Sequence, residues 1–251
     1  MEIVTNLRKK LIISVDDFGL SQEATKNILA LAKAGKVDRV AVLVDHLADD
    51  QNLAELVSTG IKIDLHLRLK NFDENMKGTK SVVRRSALFL WHHFSQKDSL
   101  KKVEVQWLSQ IEKFIRLFSK MPDGLNSHQY IHFFPPYFKI FLRIAEKYKI
   151  SYLRFGKKGI VKNSSAISRI LSRLWEKNNP QFKKFYFDSS DFLASFDWIN
   201  SAKSANGGPA EREFDRVKNF PLFLEKLPLG KTELVFHPER EDEFEILDKY
   251  F

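Results

Sequence analysis

The sequence predicts an α/β fold: a distorted or incomplete barrel of seven parallel strands wrapped by helices. Three observations lead there. Short apolar runs and longer amphipathic segments alternate about seven times, the rhythm of parallel strands joined by helices. The 251 residues, 43% of them hydrophobic, supply one sizeable core, so residues 1–251 read as a single domain. Polar and charged residues recur where the apolar runs stop. A barrel brings its strand ends to one face, which explains that recurrence better than a doubly wound sheet does.

Residues 1–10 form a polar, basic lead-in. Leu11-Ile12-Ile13-Ser14-Val15 reads as a buried parallel strand and ends abruptly in Asp16-Asp17-Phe18-Gly19. Ser21 can cap the helix suggested by Glu23, Ala24, Ile28, Leu29 and Leu31, and Gly35 ends it. Arg39–Val44 reads as a second strand, Asp49–Thr59 as a second helix stopped by Gly60, and Ile61–His66 as a third strand. Residues 70–80 are polar and loop-like, and Val82–Phe94 is apolar with basic interruptions, a helix or a lid. Leu100–Phe118 carries Val103, Trp107, Leu108, Ile111, Phe114, Ile115 and Phe118 at helical spacing. A turn at Met121–Gly124 leads into a short strand, Leu125–His128.

Pro135 and Pro136 open a helix to about Lys149, a placement that costs little in a first turn. Ile150–Arg154 is the fifth strand. Ala166–Trp175 is a basic amphipathic helix that could lie on a membrane, although packing against a sheet is the commoner use of such a face. Lys184–Phe187 reads as the sixth strand, leading to Asp188 and Asp191. Residues 201–209 form a loop around Asn206-Gly207-Gly208-Pro209, and residues 210–226 a helix. Thr232–Phe236 is the seventh strand, ended by His237-Pro238-Glu239.

Composition narrows the function classes. There is no cysteine, hence no disulfide, thiolate zinc site or cysteine nucleophile. No charged-apolar-small signal opens the chain, and Leu11–Val15 is too short to span a bilayer, so the expectation is a soluble, cytoplasmic protein. The net charge of +9 permits contact with nucleic acid or the inner face of an anionic membrane. The basic residues are scattered among acids, however, and no zinc-finger, RNP or basic-zipper pattern accompanies them; a nucleic-acid partner is not expected. Most of the 22 phenylalanines belong in the core, with some available as a wall for sugars. There is no Gly-x-Gly-x-x-Gly, P-loop or Gly-x-Ser-x-Gly elbow, so dinucleotide, nucleotide and serine-hydrolase chemistry lack support.

Asp16, Asp17, His66, His128, Arg154 and His237 each fall at or just after a predicted strand end. In a barrel these ends converge, so residues far apart in sequence meet in one pocket. Adjacent acids repel unless a cation or donors compensate. If one binds a metal, the other is free to handle a proton. One carboxylate with two or three imidazoles is a ligand set for a divalent transition metal and, less ideally, magnesium. His128 and His132, four apart, share a face only if that segment is helical.

Five segments carry a resemblance: Val15-Asp16-Asp17-Phe18-Gly19-Leu20-Ser21, Ile63-Asp64-Leu65-His66-Leu67, Asn126-Ser127-His128-Gln129-Tyr130-Ile131-His132, Tyr152-Leu153-Arg154 and Phe236-His237-Pro238. In this order, across most of the chain, they resemble the YdjC-like carbohydrate deacetylases. The resemblance implies a distorted β/α barrel of the polysaccharide-deacetylase kind and one divalent metal ion, magnesium or zinc. It implies Asp17, His66 and His128 as metal ligands, Asp16 as general base and His237 as acid. Arg154 and His132 would line the pocket and orient the carboxylate or the sugar; Tyr130, which stands where the family usually has a histidine, could bond to or stack on the sugar. The partner would be an N-acetylated sugar, oligosaccharide or glycolipid, and the family suggests a homodimer. The chain departs from the family's usual pattern at Tyr130, where another histidine is common, at Ser14-Val15, and at Asp64, which replaces a glycine.

The expected activity is metal-dependent removal of an acetyl group from an amino sugar. The alternatives are hydrolysis of another amide or ester on a glycan or glycolipid, and a noncatalytic sugar-binding barrel. Retention of Asp16 and His237 argues against the last, because binding alone needs neither base nor acid.

Overall fold

The computed structural model describes residues 7–47, 51–69, 99–158, 166–196 and 217–251. Leu11–Phe18 (β1) is buried along its whole length because it lies mid-sheet, between Arg39–Val42 (β2) and Thr232–Phe236 (β8). Beyond β2 come Lys62–Leu67 (β3), Gly124–Ser127 (β4) and Tyr152–Leu153 (β5). Beyond β8 come Phe192–Ser195 (β7) and Lys157–Lys158 (β6). Every pairing is parallel. The edge segments β5 and β6 are separated only by residues 154–156. One run of chain therefore pairs with β4 by its start and with β7 by its end. Counted as one strand, it makes the expected curled barrel of seven parallel strands.

The helices Gln22–Lys33 (α1), Gln51–Ser58 (α2), Ser99–Phe118 (α3), Pro135–Lys147 (α4) and Ala166–Phe182 (α5) alternate with the strands. Ser21 caps α1 as its sequence suggests, accepting from the Ala24 amide at 3.1 Å. Trp107 and Phe114 of α3 and Phe138 and Phe141 of α4 are completely buried, so the helical stripes and many of the phenylalanines form the outer core. Burying side chains of this size contributes about 1.5–3 kcal/mol each.

Three elements differ from expectation. The sixth strand is Phe192–Ser195, not Lys184–Phe187. Alternating aromatics suit a pleated surface, but here Phe185 and Phe187 stack on each other, ring centroids 5.3 Å apart, and Tyr186 is fully exposed. The buried Leu193, Ala194 and Ser195 take the place in the sheet. After His237, an additional helix, Glu241–Tyr250 (α7), ends the chain; acids in its first turn suit a helix N-terminus. Of the segment expected as helix 210–226, Phe220–Leu224 (α6) is a short helix and 210–216 lies outside the described residues. The expected helix or lid at 82–94 and the loops at 70–80 and 201–209 also lie outside them.

The pleat decides what fills the barrel. Side chains alternate between the lumen and the helices with period two. Ser14 and Asp16, Asp64 and His66, Tyr152 and Arg154, and Glu233, Val235 and His237 follow that period, and their polar members meet inside the barrel or at its mouth.

Candidate active site

Asp16 follows the inward period of β1; on a regular strand Asp17 would point out toward the helices. It does not, because the β1–β2 register shifts between Val15 and Phe18 and Asp17 adopts φ 71°. Aspartate tolerates this left-handed region better than most residues. Gly19 then turns the chain at φ +92°; a Cβ there would lie 2.7 Å from Leu47 Cδ2. The bulge and the turn bring two successive carboxylates to one mouth.

Asp17 Oδ1 lies 3.1 Å from His128 Nδ1 and 3.5 Å from His66 Nε2. The three ligand atoms are all within 4.8 Å of one another. Atoms sharing a small cation at about 2.0–2.2 Å sit roughly 3 to 3.5 Å apart, so this donor set fits one ion. The opposite nitrogen of His66, Nδ1, is hydrogen-bonded to Asn126 Oδ1. With Nδ1–H donating there, Nε2 presents its lone pair toward Asp17, the outer-sphere arrangement metal-binding histidines use. Burial pushes the His66 pKa down despite the two carboxylates, which favours the neutral, ligating imidazole. Burial pushes Asp17 up, but the hydrogen bond and charge of His128 hold it below the usual carboxylate range.

Asp16 is held from the other side. Arg154 NH1 and NH2 donate to its two oxygens at 2.7 and 2.8 Å. Burial pushes the Asp16 carboxyl up; Arg154, helped by His66, reverses this and holds it low. Arg154 Nε donates to Glu233 Oε1 at 2.7 Å, and Glu233 also accepts from Ser14 Oγ at 2.8 Å and Tyr152 OH at 2.7 Å. Deeper still, Arg39 forks onto Asp64. Gly124 leaves room for that pair: a Cβ there would come within 2.5 Å of Arg39 NH2.

His237 stands at the end of β8. Its backbone N–H donates to Glu243 Oε2 at 2.6 Å, and its Nδ1 lies 3.7 Å from the same oxygen. Burial would lower the imidazole pKa; the fully buried Glu243 outweighs it and raises His237 to about 9.

The site thus brings together Asp16, Asp17, His66, His128, Arg154 and His237, all read from strand ends. Arg154 and His132, expected along the pocket, lie beneath it. Arg154 is 1% exposed and faces carboxylates. His132 is fully buried, with Nδ1 2.6 Å from Ser127 Oγ and Nε2 2.8 Å from the Arg154 carbonyl. Burial lowers its pKa to about 3, and it braces the backbone of Arg154. The segment His128–Phe133 is a kinked 3₁₀ turn, with Gln129 and Tyr130 at positive φ, so His128 and His132 do not share an α-helical face. The Tyr130 hydroxyl is buried near Ser195, Asp16 and Arg154, and burial raises its pKa. Glu233, Asn126 and Glu243 were not singled out from sequence as site residues. The inward period from Asp16, His66 and His237 leads to Ser14, Asp64 and Glu233.

The interior has a charge imbalance. Asp16, Asp17, Asp64, Glu233 and Glu243 are buried with Arg39 and Arg154, and His237 and Arg240 flank Glu243, so carboxylates outnumber the cationic groups here. A divalent cation at Asp17, His66 and His128 would offset the excess. Buried charge is costly unless compensated, so the imbalance and the donor geometry point to the same place.

A model of the YdjC-like protein family matches residues 10–249. A chitooligosaccharide deacetylase of Escherichia fergusonii is 26% identical over 163 residues, 63% of this chain and 64% of that protein. One of Salmonella paratyphi B is 31% identical over 145 residues, 55% of this chain and 56% of that protein. The chain thus spans less than two thirds of the length of these curated relatives. A solved structure from Enterococcus faecalis V583, named for cellobiose-phosphate cleavage, superposes with TM-score 0.53 at 18% identity, covering 94% of this chain and 89% of that one. That likeness is one of fold. The family match runs through every strand and every site residue described above, and this chain belongs to the YdjC-like family.

Proposed function

We propose that the protein is a metal-dependent carbohydrate deacetylase that hydrolyses the N-acetyl group of an amino sugar or short oligosaccharide. The observation that carries the reading is the mouth itself: three donors that could hold one metal ion, flanked by the buried carboxylate of Asp16 and the imidazole of His237. Asp17, His66 and His128 would hold the ion, zinc or magnesium. When bound there, it supplies Lewis acidity that polarises the acetamide carbonyl and acidifies water. Asp16, fixed by Arg154, accepts a proton from the attacking water. His237 gives its proton to the departing sugar nitrogen as the C–N bond breaks. Water and amide become acetate and a free amino sugar. The deacetylase names of the two bacterial relatives support the substrate class.

The test is acetate release from N-acetylglucosamine oligomers by metal-loaded protein, with a chelated control and Asp16→Asn alongside. The expected result is metal-dependent acetate and a fall in turnover of about 10²–10⁴ in the variant, with metal retained. No acetate from protein with full metal occupancy would overturn this scissile bond. Undiminished turnover in the variant would remove Asp16 as base.

A further inference from the structure

We infer that Glu233 is a positioning residue for the reaction, acting through Arg154 to hold Asp16 at the mouth of the barrel. The inference rests on the deacetylase reading and adds a residue to it. Glu233 is the second residue of β8, fully buried, four residues before His237 and too deep to touch a sugar at the mouth. Burying a carboxylate there carries a desolvation cost that its partners must offset. Its three contacts form a clamp. Oε1 takes Arg154 Nε at 2.7 Å and Ser14 Oγ at 2.8 Å, while Oε2 takes Tyr152 OH at 2.7 Å. Tyr152 is pinned in turn, its ring 3.8 Å from the guanidinium carbon of Arg39.

The geometry of guanidinium gives this clamp its effect. The group is planar and rigid, so fixing its Nε edge fixes the direction of its NH1–NH2 fork. That fork carries both oxygens of Asp16. Ser14 and Asp16 share the inward face of β1, so Glu233 ties the strand that bears the base to the residue that orients it. Without the carboxylate, Arg154 is free to turn about its last torsion and Asp16 to follow. A displacement of about 1 Å in a reacting group can cost on the order of 10²-fold in rate.

The experiment is a double-mutant cycle of Glu233→Gln and Arg154→Lys, read by steady-state acetate release, bound metal and crystal structures. The glutamine variant should keep its metal and its KM while kcat falls about 10- to 100-fold. In the Arg154→Lys background the same change should cost kcat little more, because the element it acts through is already gone. Full multiplication of the two effects, or an unchanged kcat in a Glu233→Gln protein of lowered melting temperature, would make Glu233 structural only and overturn the inference. Tyr152→Phe, which keeps the charge but loosens the clamp, should show a smaller fall in kcat at constant KM, and serves if the glutamine variant does not fold. The crystal structures decide independently of turnover. An Arg154–Asp16 fork displaced in Glu233→Gln or Tyr152→Phe supports positioning, and a fork in place in both overturns it. If wild-type protein releases no acetate, the deacetylase reading falls while the fork still answers for Glu233.

Discussion

Two layers of buried charge fill the barrel, built on opposite plans. In the lower layer Arg39 and Asp64 meet one to one, and Asp123 O and the Tyr152 ring take what remains of the guanidinium. Every charge there has its opposite. In the upper layer Arg154 is shared between Asp16 and Glu233, and Asp17 has imidazoles for company. Buried charge occurs in both, so burial alone does not distinguish a site from a brace. The imbalance does: the lower layer is complete in itself, while the upper one converges on a place short of positive charge.

The largest expected effect is at the candidate metal donors. His66→Ala or Asp17→Ala should reduce bound zinc, measured by elemental analysis after desalting, from about one ion per chain to near background, since each removes one of the three donors proposed, among the described residues, to hold the ion. Arg39→Met, in the lower layer, should leave occupancy intact. Equal loss in both layers would dissolve the distinction.

Next in size is the brace. Asp64→Leu alone strands Arg39 and should cost about 3–5 kcal/mol in urea unfolding, while Arg39→Met with Asp64→Leu should recover most of it, because both charges leave together. Single and double variants of equal stability would show that the pair is not the self-contained unit described.

His237 sharpens the upper layer further. In metal-free protein the His237 ring should titrate near 9 by NMR, and Glu243→Gln should bring it back toward 6.5. Because the folded pKa is raised, the stability this group contributes is complete below its unfolded value and is lost as pH rises through about 9. A wild-type titration below 6.5 would remove His237 as a proton donor at neutral pH. The smallest effect belongs outside the barrel, where the exposed Lys33–Glu55 pair at 2.7 Å should contribute about 0–1 kcal/mol by Lys33→Ala unfolding.

Much of this was legible in the chain. Apolar runs that stop at Asp16, His66, His128 and His237 mark strand ends, and strand ends in a barrel share a face, so the site could be assembled without coordinates. What could not be read locally was direction. Period two places Asp17 on the wrong side of β1, and only a register shift against β2 returns it. The same period, followed inward from His237 and His66, passes through Glu233 and Asp64, polar residues in otherwise apolar strands. That signal was available, and it identifies the buried partners of the arginines. The sixth strand was misplaced for a different reason: Lys184–Phe187 has the composition of a strand, but the place beside β8 belongs to Phe192–Ser195, which only tertiary pairing reveals.

The run Tyr152–Lys158 gives the molecule a single seam. It covers the outer ladder of β4 with one end and that of β7 with the other, each over two residues. Exposed ladders are what let sheets from different molecules zip together into aggregates. Here one short stretch guards both. A protease cut or a long insertion between Leu153 and Lys157 would unbutton the barrel on two sides at once, exposing the ladders of β4 and β7 to strands of neighbouring molecules.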